Sequence, residues 1–311
     1  MASVELIADR GTAATDGEFF RSAQFLAAEG TTHTLLIEGD GAQAALPLVV
    51  RPIPGSDRSD AISPYSYPGA KRAGGPIDAT AIDLGASGLV SAFIRDRLDE
   101  PPTFTNPTER SVVLLADPEL APKSRMSDRQ QIRKNEAAGY ELQRIAGPEA
   151  GDDDLEAFHS VYTETMRAVD AAERYFFDRD YFRALLGFPR SWLVTVFGPD
   201  GDVAAAALAA VSDGFLHYYL SGTADAHRRR APSKNLIIAC TELAAELGMA
   251  LNLGGGVRPG DGLEEFKRGF ANRELPFRTH ELVCDPGAYA ELSRGRPGDG
   301  FFPLYRAPTT A

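Results

Sequence analysis

The sequence predicts an α/β protein of mixed sheets, made from two fused halves of similar build. Three observations lead there. Two stretches share a strand–turn–strand pattern, each stretch follows a helical pattern, and the remaining apolar segments alternate between strand and helix spacing. The chain has 311 residues, 43% hydrophobic and 24% charged, enough for one large domain or two smaller ones.

The first stretch runs from His33 to Val50 and turns at Gly39-Asp40-Gly41; the second runs from Trp192 to Leu208 and turns at Pro199-Asp200-Gly201. Such turns supply the positive-φ positions a hairpin needs. Ahead of the first, Phe20, Ala23, Gln24 and Ala27 recur at helical spacing; ahead of the second, Leu155, Phe158, Tyr162 and Met166 do the same. A duplicated helix-then-hairpin unit is the simplest reading, with two unrelated hairpins as the alternative. Leu89, Val90, Phe93, Ile94, Arg97 and Leu98 predict a further helix capped by Ser87. Leu236, Ala239, Cys240, Leu243, Ala244 and Leu247 predict another, begun at Ser233 and ended by Gly248. Strands are predicted over 215–220, 250–253 and 281–284. The predicted divisions are an N-terminal half over 1–120, a basic linker helix over 121–140, a C-terminal half over 141–293 and a tail over 294–311 that wraps the surface or moves freely.

The bulk properties exclude several classes. No apolar run is long enough to span a membrane, and the N-terminus lacks the pattern of a signal peptide, so a cytoplasmic protein is expected. Two cysteines cannot build a disulfide framework or a four-thiolate zinc site, and no metal constellation is expected. A net charge of −12 argues against broad binding to nucleic acid and against DNA as a partner. It permits a local basic patch. One candidate is Lys123, Arg125, Arg129, Arg133 and Lys134, on a short polar helix that Ser127 and Gln130 would cap as a box. The other is Arg228, Arg229, Arg230 and Lys234, ahead of the Leu236–Leu247 helix. Either binds phosphate or is merely solvated.

Several strings then carry a resemblance. Ile132-Arg133-Lys134-Asn135-Glu136-Ala137-Ala138-Gly139, the Tyr162–Arg167 stretch followed by Tyr175-Phe176-Phe177, His217–Gly222, Leu253-Gly254-Gly255-Gly256 and Leu263–Phe270 resemble segments of the Fem-like family of the GNAT acyltransferase superfamily. Leu46-Pro47-Leu48 and the Asp60–Gly69 stretch match in the first half, so the resemblance covers about residues 15–290. It implies a tandem GNAT-like fold of two fused acyltransferase-like halves. It also implies a reaction: transfer of an amino acid from aminoacyl-tRNA to the amine of a small molecule or peptidoglycan precursor, with no resident cofactor.

The alternatives are an acetyl-CoA- or acyl-CoA-dependent N-acyltransferase of the same fold and a non-catalytic binding protein. Pyrophosphate of CoA is usually held by a glycine loop whose amides point at the phosphates. Here the corresponding segment between Leu220 and Asn235 lacks that glycine spacing and contains Pro232, which has no amide donor. The resemblance places Lys267 as the cation facing a developing oxyanion, or else as an ordinary surface lysine. His217 could accept the ammonium proton or simply be packed. Arg167, Tyr175, Tyr65 and Tyr67 would line the acceptor pocket, and Asn252 and Asp261 would orient the amine. Arg268 would meet a phosphate.

Overall fold

A computed structural model describes residues 3–39, 41–258, 260–296 and 300–308. The turn residue Asp40 and parts of the tail lie outside these. In chain order the strands and α-helices are β1 (Ser3–Ile7), α1 (Ala23–Ala28), β2 (His33–Gly39), β3 (Ala42–Pro52), β4 (Ser59–Ile62), β5 (Lys71–Ala73), β6 (Ser91–Arg95) and β7 (Thr108–Ala116). There follow α2 (Met126–Ala137), β8 (Glu141–Ala146), α3 (Asp152–Ala168), α4 (Arg179–Leu186), β9 (Ser191–Phe197), β10 (Val203–Ser212) and β11 (Phe215–Thr223). The chain closes with α5 (Ser233–Glu246), β12 (Ala250–Gly254), α6 (Gly262–Arg268), β13 (Arg273–Val283) and α7 (Pro286–Leu292).

The chain divides into two compact units. One takes the residues up to Asp16, Phe20–Arg110 and those from Pro276 onward; the other takes Gly17–Phe19 and Ser111–Leu275. The stretch from Pro276 to 293 thus packs with the first unit, although sequence order assigns it to the C-terminal half. The cause is strand pairing: Thr279–Val283 run antiparallel to Ser91–Arg95.

In the first unit the strand order is β1-β2-β3-β4-β6-β13, with β5 on β3. Its core gathers Leu35, Ile37, Leu46, Leu48, Ile94 and Phe104. Ser91–Arg95 is a strand here, against the helix predicted around Phe93. It lies between two other strands and is apolar on both faces, so alternation is lost and the run looks helical. Ser87 instead closes a 3-10 turn over Leu84–Ser87, its hydroxyl donating to the Leu84 carbonyl at 2.7 Å. The tail is tied down rather than loose. Asp60, fully buried, accepts from the Tyr305 hydroxyl at 3.1 Å and from Arg306 Nη2 at 3.0 Å, and Tyr305 also bonds Ser91 at 2.7 Å.

In the second unit the order is β7-β12-β11-β10-β9-β8. Helix α5 lays Leu236, Ala239, Cys240, Leu243 and Ala244 on a core with Val194, Ala207, Leu216, Leu251 and Phe270. The alanine run of β10 is fully buried, and small side chains there let helices approach both faces of the strand. Both units repeat helix, hairpin, then a parallel strand pair joined by a crossover. Two caps differ from expectation. Helix α2 starts at Met126 with Arg125 as a cap that makes no side-chain bond, so no Ser127/Gln130 box forms. Helix α5 starts after Pro232, and Ser233 is its first residue rather than its cap.

Candidate active site

The second unit's parallel pair builds the site. β11 and β12 register only as Phe215↔Ala250, Leu216↔Leu251 and His217↔Asn252. β11 then continues to Thr223 against β10 alone. A bulge sits just past the last shared register: Leu208 faces Leu220 and Ala209 faces Tyr218, leaving Tyr219 as the extra residue. A bulge bends the strand and re-aims its groups, and beyond it β11 no longer pairs with β12.

Where the β11–β12 pairing ends runs a chain of hydrogen bonds. His217 Nε2 meets the Ser212 carbonyl at 3.0 Å, and its Nδ1 meets Asn252 Nδ2 at 2.8 Å. A carbonyl only accepts, so Nε2 carries the proton and Nδ1 accepts from the amide. Asn252 Oδ1 then accepts from the Gly254 amide at 2.6 Å, fixing the start of the glycine turn. Next along, Lys267 Nζ donates to the Gly255 carbonyl at 2.7 Å. Gly254 sits at φ +72°, and a Cβ there would lie 3.4 Å from that Nζ. Burial lowers the Lys267 ammonium to about 8, opposed by the Asp261 charge nearby. At neutral pH it is still mostly a cation, held where β12 ends.

This geometry reassigns some expected roles. His217 is buried with both ring nitrogens engaged, so it positions Asn252 and offers no ready base. Asn252 is buried and orders the turn rather than an amine. Asp261 caps α6: one oxygen accepts from the Glu264 amide at 2.8 Å, the other from Val257 at 2.7 Å and Arg258 at 2.8 Å. The amides of Glu264 and Arg258 are the main reason its carboxyl is held below the usual range. Arg268 is occupied by Glu264, 2.6 Å away, and by Glu274, which leaves it unsuited to a phosphate.

The comparisons with known proteins fit this build. Residues 122–268 match the model of an acetyltransferase (GNAT) domain. No curated protein matches the sequence. Among solved structures, FemX superposes with a TM-score of 0.64 at 10% identity, covering 91% of this chain and 96% of that one. The chain has a Fem-like GNAT fold. L-PGS from Bacillus licheniformis is similar at a TM-score of 0.55 and 13% identity, over 84% of this chain and 86% of its own. The C-terminal domain of a candidate lysylphosphatidylglycerol synthetase from Agrobacterium fabrum is similar at 0.56 and 13%, over 87% and 89%.

The segment between β11 and α5 is rich in arginines. Asp225–Arg230 forms a 3-10 helix, ended by Ala231 at φ +47° and followed by Pro232. Arg229 and Arg230 are exposed, and Arg228 pairs with Asp225. The Fem-like helix α2 is fastened beside it. Asn135 Nδ2 donates to the Arg230 carbonyl at 2.9 Å and to Asn235 Oδ1 at 2.8 Å. Tyr140, just past α2, bonds His227 at 2.7 Å, and His227 bonds Asp202 at 2.8 Å. Lys234 is spent on this fastening: its ammonium lies 2.8 Å from the buried Asp128, so it is no phosphate ligand. The two basic clusters that look separate in sequence therefore share one surface, with Arg129, Arg133 and Lys134 exposed on α2. Arg129 folds back onto Ser124.

The remaining expected residues scatter. Arg167 is exposed at the last turn of α3. The Tyr175 carbonyl accepts from the Tyr162 hydroxyl at 2.9 Å, and Arg174 lies 5.0 Å over the Tyr175 ring. Tyr65 and Tyr67 belong to the first unit, where Tyr67 packs edge-on against Phe20 and Phe277. The Tyr219 bulge is a feature with no signal in the sequence, since any residue can occupy it. Among the described residues no helix is long and apolar enough to cross a membrane, and no group of three His, Cys, Asp or Glu is placed to hold a metal ion.

Proposed function

We propose that the chain is an acyltransferase that forms an amide bond, moving an aminoacyl group from aminoacyl-tRNA to the amine of a small molecule or a peptidoglycan precursor. The observation that carries the choice of donor is the segment ahead of α5. It presents Arg229 and Arg230 on a proline-ended 3-10 turn instead of successive glycine amides. Such a segment suits a polyanion's backbone better than the diphosphate of a small carrier. The adjoining cations of α2 extend that surface.

The chemistry asks little of the protein. The ester is already activated, and a neutral amine attacks its carbonyl carbon. The C–N bond forms, the C–O bond to the ribose breaks, and the departing oxygen takes a proton. The Lys267 cation would steady the oxyanion of the tetrahedral state and could supply that proton. The Ser212–His217–Asn252–Gly254 chain would keep the turn in place while this happens. Aminoacyl-tRNA enters as co-substrate, and no resident cofactor is needed.

A CoA-dependent N-acyltransferase is the second reading. It is favoured by the parting of β11 and β12 past His217, where a thin acyl carrier could slide between the strands. Charged tRNA and acetyl-CoA, offered in parallel with a panel of amines, decide between them. The expected outcome is amide product from charged tRNA only. Product from acetyl-CoA alone overturns the choice of donor, and no product from either supports a binding protein that keeps the fold.

A further inference from the structure

Described residues on both sides of the glycine turn beside Lys267 are tied by acidic side chains. The Asp261 carboxylate takes the amides of Val257 and Arg258, and the Asp261 amide returns to the Arg258 carbonyl at 3.1 Å. Glu264, buried, takes the Gly260 amide at 2.9 Å. Gly256 has no room for a side chain: a Cβ would stand 2.5 Å from Asp261 Oδ1. Two side chains leave this fixed backbone outward. Val257 is 84% exposed, and Arg258 is exposed with no side-chain partner among the described residues. Other arginines of this unit are engaged, Arg268 with Glu264 and Glu274, Arg125 with Glu265, and Arg273 with Asp117.

A guanidinium offers a planar fork of donors that fits phosphate and carboxylate oxygens. A fixed backbone under it lowers the ordering cost of using it. We propose that Arg258, carried on the turn whose Gly255 carbonyl Lys267 holds, is an anion anchor that binds a phosphate or carboxylate of the substrate that reaches Lys267. The assignment of that substrate to acyl transfer rests on the function proposed above; the anchor itself rests on the turn.

The test needs no turnover. Inorganic pyrophosphate is titrated by calorimetry into the full chain carrying Arg229→Ala and Arg230→Ala, which removes two exposed arginines ahead of α5 and leaves the α2 cations the same in every protein compared. Arg258→Ala and Arg258→Lys are then added separately. Saturable binding should weaken roughly tenfold with alanine and be partly kept with lysine, the scale of one charge-assisted contact. Equal binding in all three proteins, or none in the first, overturns the anchor. A chain with no transferase activity would count against the proposed function and leave this titration to decide. Where transfer is measured, Arg258→Ala should raise one KM about tenfold with kcat nearly unchanged. A rise for the donor puts the anion on its carrier, a rise for the acceptor puts it there, and no rise for either overturns the anchor.

Discussion

Each unit contains a pair of parallel strands that touch briefly, and the two units treat the gap beyond in opposite ways. In the first, β4 and β6 register at Ala61↔Ala92 and Ile62↔Phe93. The next residue then seals the gap. The Ser63 amide donates to the Phe93 carbonyl at 2.9 Å, and its hydroxyl accepts from the Arg95 amide at 2.9 Å. The Arg95 guanidinium donates to the carbonyls of Ser63 at 2.6 Å and Pro64 at 3.3 Å. Among the described residues of the second unit, no matching serine–arginine plug follows the His217↔Asn252 register. A bulge follows in β11, and Lys267 is bonded to the glycine turn at the end of β12. The crossovers differ too: the second unit uses the long helix α5, while the first uses only 3-10 turns over Ala79–Ala81 and Leu84–Ser87 along with β5. The same topology is therefore tied by side chains in the first unit and carries the candidate site in the second.

Lys267→Met tests that contrast most sharply. Transfer should fall by about 10²–10³-fold, the scale of removing one oxyanion donor. The melting temperature should hold or rise, because a cation held out of water is replaced by an isosteric apolar chain. Steady-state kinetics beside calorimetric melting separate the two effects. An unchanged rate would remove Lys267 from the chemistry. Arg95→Ala makes the complementary break. It should cost about 1–3 kcal/mol of stability by stranding the carbonyls of Ser63 and Pro64, and leave kcat of the folded enzyme alone. Denaturant unfolding checks it; a change in kcat without a change in stability would mean that the first unit's gap is not merely sealed.

How much of this contrast could be read in advance depends on the range of the signal. The hairpins, α3 and α5 were legible because their turn residues and apolar periods are local. Lys267 and the glycine turn were singled out through the Fem-like strings. Strand β6 was misread as a helix because a central strand loses alternation. The roles of Lys234, Asn252 and Arg268 were misread partly for another reason: besides the local partners Gly254 and Glu264, they are engaged by Asp128, His217 and Glu274 from other elements. Pairings set by tertiary contact leave no spacing to find. The joining of the α2 and Arg228–Arg230 clusters through Asn135 was hidden in the same way, ninety-five positions separating the partners.

The smallest effect, and the one most specific to Lys267, is its pH dependence. Its ammonium titrates near 8 when folded, against 10.5 as the ordinary value, with burial as the main cause. If the charged form steadies the oxyanion, turnover should decline through that pH, by about twofold at the midpoint. The acceptor amine must be neutral, which gives a rising limb at lower pH and a bell-shaped profile. Lys267→Arg stays charged throughout, so its slower reaction should lose the descending limb. A rate that climbs through pH 8 and flattens above it would reverse the sign and make the neutral amine the active form. Stability offers an independent reading of the same group. Between about 8 and 10.5 the unfolded chain holds this proton and the folded chain does not, so this residue's contribution to stability grows as pH rises across that window and costs stability below it. The difference between wild type and Lys267→Met, followed by denaturant melts at several pH values, should shrink upward through this interval. A difference independent of pH would mean that the amine is solvated.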